Sequence, residues 1–457
     1  MNLEPGAGAT PPCPHFGPCG GCQLQHLAYP AQLALKANRL RALLAATGLP
    51  LPQLQLHASP PLAYRNRIRL TLDLVDGQLR AGYIGNSRDD DQGDDQPNTR
   101  QHGATFLPIT QCPIAAPALW RTAETFVALL NQDPALWLRS PWFTLDQLEL
   151  FTTPDESRIQ LSLHLRTSGK SLPGSLGPLF TLLSEALRAH IPALTGAGVY
   201  MLPPYSPLRS RRAEQPRPGP TWGSPGLNYT IPILDDSPAH DEAVTIAPHD
   251  EAVILSAAQN LSISPLPLPA PQRTTNNQQL TTVFWVPRTA FFQVNRFLLP
   301  ELLSLVSPDP VASNTGELAW DLYAGVGLFT RALAPHFARI TAVEIAEPAF
   351  TALAQTKLPN LHAVKATTLD FLRAAVLQRD RPGLVVLDPP RTGAGREVCE
   401  LLARIAAPTL IYVSCSPESL PADLATLAAS GYAVAQLHLF DLFPQTTHIE
   451  TVAILTH

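Results

Sequence analysis

From about residue 316 to the C-terminus, short apolar segments alternate with stretches of helical character. The apolar segments read GELAWDLYA, RITAVEI, GLVVLD, TLIYVSC, AVAQLHLF and ETVAILTH, and helical stretches lie between most of them. Alternating β and α segments joined by short loops imply a parallel, doubly wound sheet. The sequence therefore predicts a Rossmann-like α/β fold whose ligands bind beyond the carboxyl ends of the strands.

Changes in sequence pattern divide the chain into four parts. The first carries clustered cysteines, and the second contains an amphipathic helix that is expected to pack on the last part. The third is rich in β patterns, and the last is the predicted α/β sheet. In that order, the parts are residues 1–28, 29–58, 59–280 and 281–457.

The β-rich part is predicted from alternating apolar residues. Residues 64–84 and 144–166 alternate as β-hairpins do. Three stretches that are rich in proline or strongly polar are predicted to be loops or linkers, because such stretches rarely sustain a helix or a central strand. They are residues 87–103, 203–225 and 265–279.

The composition excludes several classes of protein. The 457 residues are 45% hydrophobic and 15% charged, which excludes a wholly disordered or fibrous chain. No apolar run approaches the roughly 20 residues that are needed to cross a bilayer. The N-terminus lacks the positive and apolar stretches of a secretory signal. We therefore expect a cytoplasmic, monomeric protein without a membrane partner, whose thiols are reduced.

The distribution of charge permits a nucleic-acid partner. The net charge of −5 argues against one at first, since binding to phosphates requires a positive surface. Eleven acidic residues, however, lie in two polar stretches, 89–95 and 235–251, that contain no lysine or arginine. Without them the chain has 26 acidic residues against 32 basic ones, so a basic working surface is possible.

A glycine-containing turn follows the first apolar segment of the predicted sheet. It runs from Asp321 through Tyr323 to Gly327, and Glu344 ends the next strand, where a carboxylate can bind ribose hydroxyls. The dinucleotide pattern GxGxxG fails at Thr330. This favours S-adenosylmethionine, which has no pyrophosphate, although a tight turn without a ligand also fits.

Three more candidate residues lie at the ends of predicted strands. Asp388 begins the rigid turn DPPR, Cys415 follows an apolar strand directly, and Glu450 begins the last strand. Each also has a structural interpretation, as a turn residue, an inert buried thiol and an exposed strand end. Upstream, Gln293 and Asn295 could face a ligand or cap the helix that follows.

Four cysteines are candidate metal ligands. Three of them lie within ten residues, in PCPHFGPCGGCQ, and the fourth lies in TQCP. Glycine and proline between them allow the tight turns that bring thiols together. Zinc and an iron-sulfur cluster both accept four thiolates, so the spacing leaves both open, with His15 and His26 as spare zinc ligands. The four are Cys13, Cys19, Cys22 and Cys112.

Taken in order, these motifs resemble the RNA uracil-5-methyltransferase family, and specifically its bacterial 23S ribosomal RNA branch, which carries a 4Fe-4S cluster. The matching residues span nearly the whole chain. They are the cysteine quartet, Tyr64 to Arg67, Phe291 to Asn295, Asp321 to Gly327, Asp388 to Arg391, Ser414 to Pro417 and His448 to Val452.

The resemblance implies a class I methyltransferase domain, S-adenosylmethionine as cofactor, a 4Fe-4S cluster on the quartet, and RNA as substrate, most of all 23S ribosomal RNA bound by the central domain. It implies that Cys415 is the nucleophile that adds to carbon 6 of uracil and that Glu450 removes the proton from carbon 5. The residues implied to contact or frame the cofactor are Gln293, Tyr323, Glu344 and Asp388.

Two alternatives remain open within this resemblance. One is a transfer-RNA uracil-5-methyltransferase, and the other is a catalytically inactive RNA-binding relative. The intact pair of Cys415 and Glu450 argues against the inactive relative. Ala324, Ser416 and Thr367 depart from the usual family pattern, and the last two could alter the affinity for the cofactor.

Overall fold

A computed structural model describes six stretches of the chain, and every structural statement below concerns them. Two predicted loops, 87–103 and 265–279, lie outside the described residues, as do residues 205–215 of the third, including Arg209, Arg211 and Arg212. The described stretches are residues 8–85, 105–169, 174–204, 216–232, 281–307 and 316–457.

Helices and strands alternate in the C-terminal part, whereas strands dominate the centre. The helices are α1 (Tyr29–Ala45), α2 (Pro117–Gln132), α3 (Pro134–Trp137), α4 (Leu176–His190), α5 (Leu299–Val306), α6 (Leu328–Leu333), α7 (Ala349–Ala354), α8 (Thr368–Gln378), α9 (Arg396–Ile405) and α10 (Leu420–Ala428). The strands are β1 (Leu54–His57), β2 (Arg67–Val75), β3 (Gln78–Ile84), β4 (Phe106–Pro108), β5 (Phe143–Thr152), β6 (Ile159–Thr167), β7 (Leu194–Leu202), β8 (Arg217–Gly223), β9 (Gly226–Pro232), β10 (Thr281–Pro287), β11 (Leu318–Leu322), β12 (Arg339–Glu344), β13 (Leu361–Lys365), β14 (Leu384–Leu387), β15 (Thr409–Ser414), β16 (Ala433–Phe440) and β17 (Glu450–Thr456).

The larger sheet has the order β1-β16-β17-β15-β14-β11-β12-β13. One face carries α1, α8, α9 and α10, and the other carries α5, α6, α7 and the β9–β10 pair, so the predicted doubly wound α/β fold is confirmed. The prediction of an all-parallel sheet is wrong for β17, which runs antiparallel to both β15 and β16. Neither β1 nor β13 was predicted. Both lie at the sheet's edges, where short strands have few buried side chains.

The smaller sheet has the order β4-β3-β2-β5-β6-β7-β8 and packs against α2 and α4. It is antiparallel except where β6 pairs with β7, which α4 connects. The loop predicted over residues 203–225 is wrong for Arg217–Gly223, which forms the edge strand β8. An edge strand tolerates Pro218 and Pro220 because part of its N–H row has no neighbouring strand to bond.

The two sheets are joined by elements that cross the predicted domain boundaries. Strand β9, from the part assigned to the central domain, pairs with β10 from the C-terminal part. Near the N-terminus, Ala37, Leu40 and Leu44 of α1 pack in one core with Trp320, and β1 pairs with β16. No helix in the described stretches is long and apolar enough to span a membrane.

Candidate active site

The turn after β11 is held next to the end of β12. Tyr323, Gly325 and Gly327 all have positive φ, at 62°, 56° and 89°, so the chain reverses sharply before α6. The Gly325 N–H donates to Oε2 of Glu344 at 2.9 Å, and Oε1 of Glu344 accepts from the N–H groups of Ile345 and Ala346. Each carboxylate oxygen can accept more than one hydrogen bond, so Glu344 can still accept from a ribose hydroxyl.

Two acidic residues lie side by side at the ends of β11 and β14. The Asp388 N–H donates to the carbonyl oxygen of Leu322 at 3.3 Å, which places Asp388 next to the turn that contains Tyr323. Asp321 is fully buried and accepts a hydrogen bond from Thr330 Oγ1 at 2.5 Å. Burial raises the pKa of each carboxyl to about 7, and the charge of Asp321 contributes to the shift of Asp388.

Cys415 and Glu450 meet because of the register of two antiparallel strands. Ser414 at the end of β15 pairs with Thr451 of β17, so the residues next to them, Cys415 and Glu450, are neighbours. Burial, together with the negative charges of Glu450 and Asp388, raises the pKa of the Cys415 thiol to about 11, although Arg391 opposes the shift. A cationic neighbour is therefore required for Cys415 to ionise near neutral pH.

Glu450 is a buried carboxyl group whose surroundings disfavour its ionised form. It is 2% exposed, and within the described part of the chain its Oε1 atom is buried without a hydrogen-bond partner. Burial first, and then the charge of Asp388, raise its pKa well above the ordinary value, whereas Arg391 lowers it. A buried carboxyl oxygen without a partner is unfavourable on its own, so this atom is available to a bound molecule.

Asp423 was missed by the sequence analysis and fixes the loop that follows Asp388. Its carboxylate accepts from Tyr412 Oη at 2.5 Å and from the Ala394 and Gly395 N–H groups at 2.8 and 3.2 Å. It thereby ties this loop to β15, which leads to Cys415. The signal was present, since Asp423 of α10 occupies the apolar stripe between Leu420 and Leu424, where a carboxylate needs buried partners.

Gln293 and Asn295, the two polar residues in the segment before α5, make different contacts. Asn295 accepts from the Phe297 and Leu298 N–H groups at 3.0 and 3.3 Å, so it caps the approach to α5 rather than facing a ligand. Gln293 is also buried, and its carbonyl oxygen accepts from Asn66 Nδ2 at 3.0 Å. Thr367 caps α8 by accepting from the Asp370 N–H at 3.1 Å.

The four cysteines line one cavity of about 90 Å³, together with Arg65 and Tyr83. Tyr83 Oη donates to Cys112 Sγ at 3.9 Å, and burial raises the pKa of Cys22 to about 11. A bound cation would reverse this shift, as it does wherever a thiolate ligates metal. His15, a spare zinc ligand in the sequence analysis, instead contacts Thr110 through Nε2.

The donor set of the cysteine cavity can be compared with what metals require. A tetrahedral zinc, with Zn–S bonds of about 2.3 Å, holds its thiolates about 3.8 Å apart. Among the described residues, no three His, Cys, Asp or Glu side chains are placed to hold one metal ion. Four thiols around one cavity are a donor set that both zinc and an iron-sulfur cluster accept, so the residue types leave both open.

The fold is that of class I S-adenosylmethionine-dependent methyltransferases. A crystal structure from Pyrococcus abyssi, a tRNA (uracil-54, C5)-methyltransferase in complex with S-adenosyl-L-homocysteine, aligns with a TM-score of 0.61 at 19% identity, covering 96% of this chain and 86% of that one. Residues 277–457 match the family model described as tRNA (Uracil-5-)-methyltransferase. This match confirms the resemblance to RNA uracil-5-methyltransferases that was drawn from the sequence.

Two relatives show how far the similarity extends. The 23S rRNA (uracil(1939)-C(5))-methyltransferase RlmD of Halomonas elongata is 28% identical over 460 residues, covering 98% of this chain and 77% of the relative. An uncharacterized RNA methyltransferase of Thermotoga maritima is 38% identical over 176 residues, covering 38% of this chain and 39% of the relative.

We predict that two substitutions shift the pKa of Cys415 in opposite directions. Glu450→Gln removes a negative neighbour and lowers it, whereas Arg391→Met removes a positive neighbour and raises it. The pH dependence of alkylation by iodoacetamide, followed on the Cys415 peptide by mass spectrometry, measures both shifts. Glu418→Gln is the control, because this carboxylate is exposed and pairs with Arg39. Shifts of the same sign in both variants would contradict the assigned neighbours.

Proposed function

We propose that this chain methylates carbon 5 of uridine in 23S ribosomal RNA through a covalent adduct between Cys415 Sγ and carbon 6. The observation that carries the proposal is the pairing of β15 with β17, which puts a thiol next to a buried carboxyl whose Oε1 has no partner among the described residues. The similarity to the RlmD protein over 98% of the chain supports the ribosomal substrate.

In this mechanism the Cys415 thiolate adds to carbon 6 and turns carbon 5 into an enolate-type nucleophile. The thiol proton passes to Asp388, whose pKa of about 7 suits a proton acceptor near neutral pH. S-adenosylmethionine, when bound, supplies the methyl group as a sulfonium. Glu450 then removes the proton from carbon 5, the electron pair forms the carbon 5–carbon 6 double bond, and the bond from carbon 6 to sulfur breaks to release the thiolate.

Four residues are proposed to hold S-adenosylmethionine at the carboxyl edge of the larger sheet. Glu344 lies at the end of β12 beside Gly325, a position suited to ribose hydroxyls. Tyr323 and Asp388 follow the adjacent strands β11 and β14. Gln293 is proposed from the sequence resemblance, and its backbone is held by Asn66.

The cysteine quartet is proposed to hold a 4Fe-4S cluster. The support is the shared cavity and its cationic wall, Arg65, which offsets the negative charge of four thiolates. When bound, the cluster would supply a rigid link between the segment of Cys13, Cys19 and Cys22 and the central domain, to which Cys112 belongs.

A transfer-RNA substrate is the second candidate. The description of the matching family model and the name of the Pyrococcus abyssi enzyme both refer to tRNA. Neither observation outweighs the full-length relative, since the family model covers residues 277–457 alone and the Pyrococcus abyssi likeness shows the fold.

We predict that RNA with 5-fluorouridine at the target position becomes covalently attached to the wild-type protein. Fluorine cannot leave as a proton, so elimination stops after methyl transfer. Cys415→Ala forms no adduct, and Glu450→Gln accumulates a methylated adduct even with ordinary uridine. Denaturing gels and mass spectrometry of the complex measure this. Equal trapping by Cys415→Ala would place the nucleophile elsewhere.

We predict that protein purified without oxygen is brown and holds about four iron atoms per chain, as a cubane cluster requires. Cys112→Ser loses most of the iron, whereas Cys399→Ser keeps it, because that thiol is buried in α9, away from the quartet. Iron and sulfide assays with the visible spectrum provide the readout. Colourless protein with one zinc atom would refute the cluster.

We predict that fragments of 23S ribosomal RNA accept methyl groups and that transfer-RNA transcripts do not. The measurement is transfer of labelled methyl to each RNA under identical conditions, with Cys415→Ala as the blank. Digestion and mass spectrometry should find the label in 5-methyluridine. Methylation of the transfer RNA alone would reverse the substrate assignment and leave the chemistry in place.

A further inference from the structure

The loop that precedes Glu450 is held from several directions. We call residues 441–449 the base loop, because it connects β16 to Glu450, the first residue of β17. Asp441 accepts from Lys36 Nζ at 2.6 Å in a buried ion pair, and the Pro444 carbonyl oxygen accepts from Tyr64 Oη at 3.1 Å. Both contacts come from parts of the chain about 400 residues away in sequence.

The centre of the base loop is fixed by Gln32 of α1. Gln32 Nε2 donates to Gln445 Oε1 at 2.9 Å, and the Gln445 N–H donates back to Gln32 Oε1 at 3.0 Å. Both side chains are buried. Gln445 has a φ of 69°, an unfavourable region for a residue with a side chain, and such a conformation persists only where the surroundings hold it.

Gln445 also connects the base loop to the N-terminal segment that contains Cys13, Cys19 and Cys22, which we call the cysteine segment. The Gln445 carbonyl oxygen accepts from the N–H groups of Gln23 and Leu24, each at 3.0 Å. These two residues directly follow Cys22, which lines the cysteine cavity. Arg65 of the same cavity lies over the Phe443 ring at 6.0 Å. The cysteine segment therefore hydrogen-bonds directly to the loop that leads to Glu450.

Cys415 and Asp388 do not depend on these contacts. They follow β15 and β14, which pair with each other in the centre of the sheet, and Asp423 holds the intervening loop. A shift of the base loop would move Glu450 and leave the other two groups in place. Proton transfer requires heavy atoms within about 2.6–3.2 Å, so a small shift affects the step that uses Glu450 most.

We propose that Gln32, together with the segment that follows Cys22, is a positioning element for Glu450, so that the cysteine segment controls release of the methylated product. The inference rests on the proposed function, in which Glu450 removes the carbon 5 proton. It assigns to the N-terminal segment a role in elimination, a step separate from RNA binding and from methyl transfer.

The experiment follows methyl transfer and adduct breakdown separately in single turnovers. Holoenzyme, labelled S-adenosylmethionine and the RNA substrate are mixed, and the covalent complex and free methylated RNA are quantified over time. We expect Gln32→Ala to form the adduct within about 3-fold of the wild-type rate and to break it down roughly 10- to 100-fold more slowly. Asn38→Ala is the matched control, since that amide is exposed on the same helix and contacts Arg41 instead.

Gln32→Met provides a second variant if Gln32→Ala does not fold. Its side chain has a similar volume and no charge, and it loses both hydrogen bonds to Gln445, so breakdown should slow as in Gln32→Ala. Wild-type breakdown in both variants, or equal slowing of both steps, overturns the inference. Glu450→Gln is the reference variant. If neither it nor the Gln32 variants accumulate the adduct, the proposed function fails. If Glu450→Gln accumulates the adduct and the Gln32 variants do not, only the role of Gln32 is refuted.

Discussion

The reversed direction of β17 is the constraint on which the candidate active site depends. In a doubly wound sheet, ligands bind at the carboxyl ends of parallel strands, and Asp388 and Cys415 follow strands of that direction. Because β17 runs antiparallel between β15 and β16, its first residue reaches the edge where its neighbours end. Backbone pairing therefore brings Glu450 next to the Cys415 thiol. The hydrogen-bond register of β15 and β17 thus sets which side chains are neighbours at this edge.

The electrostatics of this edge favour a cationic ligand. Asp321, Asp388 and Glu450 are acidic groups with raised pKa values, and Cys415 resists ionisation beside them. Such a cluster is unfavourable when all its members are charged, so protons occupy some of them near neutral pH. A sulfonium in their midst would stabilise the ionised forms. A neutral thioether, which is the form the cofactor takes after methyl transfer, would not stabilise them in this way.

The sequence predicted which residues lie at the carboxyl ends of the strands better than it predicted the direction and pairing of the strands. Residues that directly follow apolar strands, such as Tyr323, Asp388 and Cys415, could be grouped because parallel strands end together. The direction of β17 could not be predicted, since an apolar run looks the same in either direction. Strand β8 was missed because its prolines argue against a central strand, and the edge position that tolerates them is a property of the whole sheet.

Tertiary contacts decided what single motifs left open. From the sequence, Asn295 could either face a ligand or cap a helix. In the structure it accepts from the N–H groups of Phe297 and Leu298, so it acts as a cap. Asp423 carried a sequence signal, a carboxylate in an apolar stripe, but its partners lie on another loop. Gln32 and Gln445 carried no sequence signal, because two amides separated by 413 residues form no recognisable motif.

These long-range contacts also affect the sequence in which the parts of the site form during folding. Asp388 and Cys415 follow neighbouring parallel strands within one compact unit, so their positions require only that the larger sheet forms. The base loop requires in addition Gln32, Tyr64 and Asn295, which lie between 147 and 413 residues away in sequence. Contacts of such separation form late, since the entropy of closing long loops must be offset first. Glu450 is therefore expected to reach its position after Asp388 and Cys415. Under the proposed mechanism, a protein with an unfolded cysteine segment would attack uracil before it could release it.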